Sequence, residues 1–244
     1  MEILATQSSL HEIEPLRVLF LHEASFQYVH NKCHLYGWAD AYVFTLDGQT
    51  IGYGSVWGKE NRADRDSIFE FYVLPGFRRW ARECFTALRN AAKTPFIECQ
   101  SNDALITSML FEQATHIYAE AILFEDDFPT NFPMGNRIFQ QGETVESGHP
   151  DDRPFVMMEE GVVVATGGMF LNYNMPYADI YYDVHEAYRR IGLGTLMVQE
   201  LKKAAYSMNR IPSARCNIKN MISKATLLKG GFRVCGHILQ GELH

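Results

Sequence analysis

The sequence contains no apolar run approaching the ~20 residues that span a bilayer, so a helical membrane protein is excluded and no membrane partner is expected. It has no Cys-x-x-Cys pair either. Cys33, Cys84, Cys99, Cys216 and Cys235 are odd in number and widely spread, which argues against a disulfide framework and a zinc site and leaves reduced, mostly buried thiols. The opening residues Met1 to Thr6 lack the basic start and apolar core of a secretory leader, so a cytoplasmic location is the default expectation. With a formal net charge of -7 and no stretch that concentrates Lys and Arg as a phosphate-backbone binder would, nucleic acid is not an expected partner. A small cationic amine would meet a mildly favourable field instead.

What is present is the balance of an ordinary globular protein, 47% hydrophobic and 21% charged, over 244 residues, enough for two modest domains. A repeat supports that division. Tyr42 to Gly54 and Phe155 to Gly167 are each an apolar segment, an acidic-Gly turn and a second apolar segment, which predicts hairpins turning at Asp47-Gly48 and Glu160-Gly161. Downstream of each comes Val-x-x-x-aromatic-Arg-Arg: Val73 with Phe77-Arg78-Arg79, and Val184 with Tyr188-Arg189-Arg190. Helical stretches follow from about Ala81 to Ala92 and from Thr195 to Asn209, the second with Leu193, Met197, Leu201, Ala204 and Met208 on one face. Each is succeeded by a short strand ending in Cys, Pro95 to Cys99 and Ala214 to Cys216, then another helix and a last strand.

Both repeats therefore read as mixed α/β units, each a mostly antiparallel central sheet flanked by helices. The expected boundaries are a first domain at 1–128, a linker at 129–150 with at most one strand, and a second domain at 151–244. Only the first repeat is preceded by a helical stretch, from Leu10 to about Val29.

In the second repeat, the strand Asp179 to Val184 leads into Arg189-Arg190-Ile191-Gly192-Leu193-Gly194-Thr195 and then directly into a helix. A strand, a glycine-bearing turn and a helix amino terminus make an anion site, because the first helical N–H groups have no internal partner. Gly192 and Gly194 leave room for phosphate oxygens, and Arg189 and Arg190 can add charge-assisted bonds. P-loop spacing is absent, and Met197 occupies the third Gly position of the dinucleotide fingerprint. A bland tight turn remains the alternative to an anion site.

Arg-x-x-Gly-x-Gly after a strand ending in Val, with Asn220-x-x-Ser223 and Gly230-Gly231-Phe232 downstream, resembles the GNAT superfamily of N-acetyltransferases over Phe155 to about Leu239. The first repeat follows the pattern only in outline. The resemblance implies that acetyl-CoA lays its pyrophosphate along Arg189 to Thr195 and its pantetheine arm beside the backbone of Val184 and Asn220, with Ser223 as a further contact. It implies no metal. It also implies that Asp179 to Val184 and Pro212 to Asn217 splay apart to admit the thioester. In the first repeat Ala81 and Glu83 stand where Gly192 and Gly194 would align, so that copy is expected to be degenerate and not to bind CoA.

The expected activity is transfer of an acetyl group from acetyl-CoA to a primary amine of a small molecule or peptide, by direct attack in a ternary complex. Many family members protonate the leaving thiolate with a Tyr four residues before the Gly of the closing Gly-Phe. Leu227 stands there. Among replacements on the tyrosine-rich strand, Tyr182 shares the parity of Val184, while Asp183 is chemically the better base. Packing and pairing are the ordinary fates of both. An acyl-CoA-binding module without transferase activity is the alternative reading.

Overall fold

The computed structural model describes residues 2–27, 30–142 and 151–244. The chain forms two compact units, Met1–Glu120 with His237–His244, and Ala121–Gly236.

In unit 1 the strands are β1 (Ile3–Ser8), β2 (Ala39–Leu46), β3 (Gln49–Trp57), β4 (Ser67–Val73) and β5 (Phe96–Gln100), joined by the end of β12 (Phe232–Leu243). They lie in the order β1-β2-β3-β4-β5-β12. The pairings are antiparallel except β4 with β5, which are parallel and joined only at Ser67↔Phe96 and Ile68↔Ile97. The β2–β3 hairpin turns at Asp47-Gly48 as expected, both residues with positive φ (47° and 84°), the backbone that a two-residue hairpin demands. Alternation along the strands gives the sheet two faces. One carries Phe44, Val56, Ile68 and Phe71 against α3 (Ala81–Ala92) and α4 (Ala104–Gln113). The other carries Tyr53 and Tyr72 against Ile13, Leu16 and Phe20 of α1 (Leu10–Leu21). A capping box of Ser9 and Glu12 starts α1. The expected helix to Val29 ends at Leu21; a short α2 (His30–Leu35) follows, and Val29 itself lies outside the described residues.

Unit 2 has strands β6 (Ala114–Asp126), β7 (Ile138–Gln141), β8 (Asp152–Glu159), β9 (Val162–Phe170), β10 (Tyr177–Val184) and β11 (Ile211–Asn217), in the order β6-β11-β10-β9-β8-β7. Residues Ala121 to Glu125 of β6 supply its pairing with β11. The β8–β9 hairpin turns at Glu160-Gly161 (φ 51° and 80°), again as expected. Helix α5 (Leu193–Ser207) buries Leu193, Met197 and Leu201 against Met157, Val164, Ala165 and Ile180. The buried stripe then turns to Val198 and Ala205, whereas Met208 caps the helix and is 36% exposed, which corrects the expected face. Two polar side chains of α5 pin the neighbouring chain. Gln199 accepts from the Phe132 N–H (2.6 Å) and donates to its carbonyl (3.0 Å). One turn on, Lys202 donates to the carbonyls of Phe128, Gly230 and Gly231 and pairs with Asp126. Of the 129–150 segment, 143–150 lies outside the described residues, and the remainder contains β7.

Candidate active site

In β10 and β11 the parallel pairing stops at Asp179↔Ser213. Beyond it β10 stays on β9 as far as Val184 and β11 stays on β6 as far as Asn217, so the two strands part company. The seam has one row of side chains on the α5 side. There Ile180 and Val184 join the core, with Tyr182 packed against it.

After β10 a single 3-10 turn, Glu186–Tyr188, gives way to the arginine-glycine turn. Arg190 (φ 67°) and Gly192 (φ 91°) both adopt the left-handed backbone, and Gly192 caps α5 without a side-chain bond. The first N–H groups of the helix therefore remain available to a ligand. The Nε of Arg189 donates to the Val184 carbonyl at 2.8 Å, tying the turn to the strand, while its NH2 lies 3.4 Å from Asp183. Unit 1 has the same tie, Arg78 Nε to the Val73 carbonyl at 3.2 Å. Its turn differs, because the 3-10 segment runs unbroken from Pro75 to Trp80 into α3, with Ala81 N–H donating back to Arg78. No positive-φ residue interrupts it.

The turn, β10 and the first turns of α6 (Met221–Lys229) enclose a cavity of about 750 Å³. The sequence-selected Tyr182, Asp183, Val184, Arg189, Arg190, Gly192, Leu193, Gly194, Thr195, Asn220 and Ser223 all line it, but Ile191 does not and is 61% exposed. Gly194 shapes the wall. A Cβ there would meet Thr226 Cγ2 at 3.1 Å and Tyr182 Cε2 at 3.5 Å, so any side chain at this position fills the groove between β10 and α6. This open, backbone-lined cradle with two arginines fits a pyrophosphate bearing a slender arm.

The acetyltransferase (GNAT) family model matches residues 110–232, just over half of the chain. This protein belongs to the GNAT acetyltransferase family. A search of curated proteins found no relative by sequence. Among solved structures, a GNAT acetyltransferase from Colwellia psychrerythraea is similar over 100% of both chains, with 15% identity and a TM-score of 0.76. A tandem GNAT protein from the clavulanic acid biosynthesis pathway, solved without AcCoA, is similar over 99% of this chain and 98% of its own, with 13% identity and a TM-score of 0.60. A Drosophila protein gives 14% identity, 100% and 99% coverage and a TM-score of 0.59. The two-lobed GNAT fold thus extends over the whole chain.

Family membership implies an acyl-CoA donor and an acceptor for this GNAT acetyltransferase. The Tyr182 hydroxyl lies 3.2 Å from Ser223 Oγ on the wall of the cavity. Burial pushes its phenol above the ordinary value, against the opposing effect of the Ser223 and Thr226 hydroxyls, so it keeps its proton at neutral pH. Asp183 also borders the cavity, but its side chain is largely exposed and pairs with Arg189. Asn220 caps α6, its side chain accepting from the Ser223 N–H at 3.0 Å. Leu227 is buried in the core.

Glu186, Tyr188, Ile222 and Thr226 also line the cavity and were not singled out from sequence. Helical spacing from Asn220 would have found Ser223 and Thr226 together. A charge signal was also available: between Ala187 and Arg233 ten Lys and Arg accompany a single acid, Glu200, within a chain that is acidic overall. Among the described residues, no helix is long and apolar enough to cross a membrane, and no group of three or more His, Cys, Asp and Glu could hold a metal ion.

Proposed function

We propose that unit 2 is an acetyl-CoA-dependent N-acetyltransferase acting on a primary amine of a small molecule or peptide in a ternary complex. The observation that carries this reading is one cavity lined both by the Gly192–Gly194 turn and by Tyr182 to Val184, the part of β10 that lies past its last pair with β11. The bound donor supplies an activated acetyl carbonyl, whose C–S bond breaks as the C–N bond to the neutral amine forms. The backbone N–H groups from Gly192 onward and the two arginines hold the pyrophosphate. Val184, Asn220 and Ser223 flank the pantetheine arm, although the Val184 carbonyl is already engaged by Arg189. Tyr182, which retains its proton and faces the cavity, protonates the departing thiolate, in the part that Leu227 cannot play. Asp183, whose exposed carboxylate borders the cavity, receives the proton that the acceptor ammonium gives up, and the further proton lost from the attacking nitrogen returns to the Tyr182 phenolate. Unit 1 is a degenerate copy without CoA affinity, because its counterpart turn is continuous 3-10 and α-helix and presents Glu83 in its first helical turn.

Tyr182→Phe is expected to lower kcat about tenfold or more, within the range of general acid catalysis, with acetyl-CoA affinity unchanged. Free-thiol release with a panel of amines, alongside calorimetry, reads both quantities. Unchanged turnover in both Tyr182→Phe and Asp183→Asn removes this strand from the mechanism. The buried Leu227 favours a second reading, a CoA-binding module without transfer. That reading predicts binding without thiol release for any amine.

A further inference from the structure

The face of the unit 1 sheet beneath α1 and α2 carries polar groups where a buried sheet face ordinarily carries apolar ones. A register shift between Ser55 and Val56 sets Ser55 opposite Glu70 and Val56 opposite Ile68, leaving Phe69 as an extra residue in β4. Such a bulge re-aims side chains. Here Phe69 and Glu70, though adjacent, both reach the α2 side: the Phe69 ring lies 5.8 Å from His34 and 5.3 Å from Trp57, and His34 Nε2 lies 2.9 Å from Glu70. The bulge follows directly on the last β4–β5 pair, Ile68↔Ile97, so Glu70 and the buried Glu98 stand on two strands just past the point where they separate.

Glu70 is fixed from three directions. Arg17 of α1 pairs with it at 3.1 Å, His34 approaches from α2, and Tyr53 donates from β3 at 3.2 Å. Beside this anchored carboxylate, Ser55 Oγ, Ser67 Oγ and Trp57 Nε1 have no hydrogen-bond partner among the described residues, although these residues are 0%, 0% and 2% exposed. Ser55 and Trp57 share the Tyr53 face of β3, and Ser67 pairs opposite Trp57, so all three belong to the same patch. Leaving such a group buried without a partner is costly, and natural cores contain few.

We propose that this patch is a binding site for a small primary amine that also carries an acceptor oxygen, an amino alcohol being the simplest case. An ammonium finds acceptors in the Glu98 carboxylate, whose Oε2 also accepts from Gln240 at 3.0 Å, and in the serine hydroxyls, with attraction from the face of Phe69; the Trp57 face is taken by the Arg62 guanidinium, 3.9 Å from the ring centroid. Trp57 Nε1 can only donate, which requires an acceptor on the ligand. Glu70, held by three groups, pre-organises the wall rather than moving to meet the ligand. The site makes no use of the CoA turn, so its test is separate from that of acetyl transfer.

Saturation-transfer difference NMR with ethanolamine is the test. Saturable transfer is expected for ethanolamine but not for ethylene glycol or acetate, and Glu98→Gln or Trp57→Phe should weaken it at least tenfold. Ser55→Ala and Ser67→Ala, which only remove unsatisfied oxygens, should also weaken binding while holding or raising Tm. These two variants keep the test decisive if the larger changes disturb folding. Absence of transfer with the unmodified protein, or equal affinity in all folded variants, overturns the proposal.

Discussion

Gly192→Glu combined with Gly194→Glu is expected to weaken acetyl-CoA binding by about a hundredfold or more, equivalent to roughly 2.7 kcal/mol, while leaving the fold of unit 2 in place. Three effects act in the same direction. Gly192 holds φ 91° with nothing within 4 Å of an added Cβ, so a side chain there meets no clash but strains the backbone and disturbs the turn that aims the helix N–H groups. At Gly194 a Cβ already stands 3.1 Å from Thr226, so a longer chain occupies the groove between α6 and β10. Each carboxylate also sits where phosphate charge must sit. Neither glycine is packed in the interior beneath the helix, which Leu193, Met197 and Leu201 supply. Near-UV circular dichroism should therefore remain that of the parent protein while calorimetry loses the binding heat. Retained affinity would assign CoA to some other surface.

The second large effect concerns stability. Lys202→Met is expected to cost about 3–5 kcal/mol, as removal of one partner of a buried ion pair does, with a fall in Tm of about 6–12 °C for the lower figure. Lys202 is 1% exposed, and its ammonium satisfies the carbonyls of Phe128 (2.8 Å), Gly230 (3.2 Å) and Gly231 (2.8 Å) as well as Asp126 (2.7 Å). It also sits 4.7 Å above the Phe232 ring. Methionine keeps the apolar stem and removes every polar contact, so Asp126 and three carbonyls lose a donor in a site with little water to replace it. Tyr206 still donates to Asp126 at 2.8 Å and limits the loss. Thermal unfolding followed by circular dichroism measures the effect. A Tm within a degree of the parent would show that solvent reaches these carbonyls.

The features legible in the sequence were those written in consecutive residues. Asp47-Gly48 and Glu160-Gly161 announced their hairpins because two-residue turns need positive φ. The Arg189 to Thr195 turn was legible because its strand end, glycines and helix start are consecutive, although the turn alone fitted a bland tight turn as well and the downstream Asn220, Ser223 and Gly231-Phe232 separated the two. The family resemblance located the β10–β11 seam. What escaped sequence reading depends on partners far apart in the chain. Arg17 and Glu70 are 53 positions apart, and nothing local marks either as buried. Gln199 and Lys202 read as ordinary polar positions of an amphipathic helix, yet both are buried and organise the chain on either side. The pairing of β12 with β5, Gln240 opposite Glu98, places the carboxyl-terminal residues in unit 1, and periodicity cannot reveal such a partner. The Phe69–Glu70 bulge is likewise invisible to a strict alternation rule, which would have placed those side chains on opposite faces.

We propose one donor site, built on the turn of unit 2. A crystal structure of the protein soaked with CoA tests it most directly. A single CoA is expected, with its pyrophosphate on the N–H groups between Arg190 and Thr195, its arm entering between β10 and α6, and the Tyr182 hydroxyl as the side-chain donor nearest the sulfur. CoA seated on Pro75–Trp80 of unit 1, or a pyrophosphate remote from Gly192 and Gly194, would contradict it.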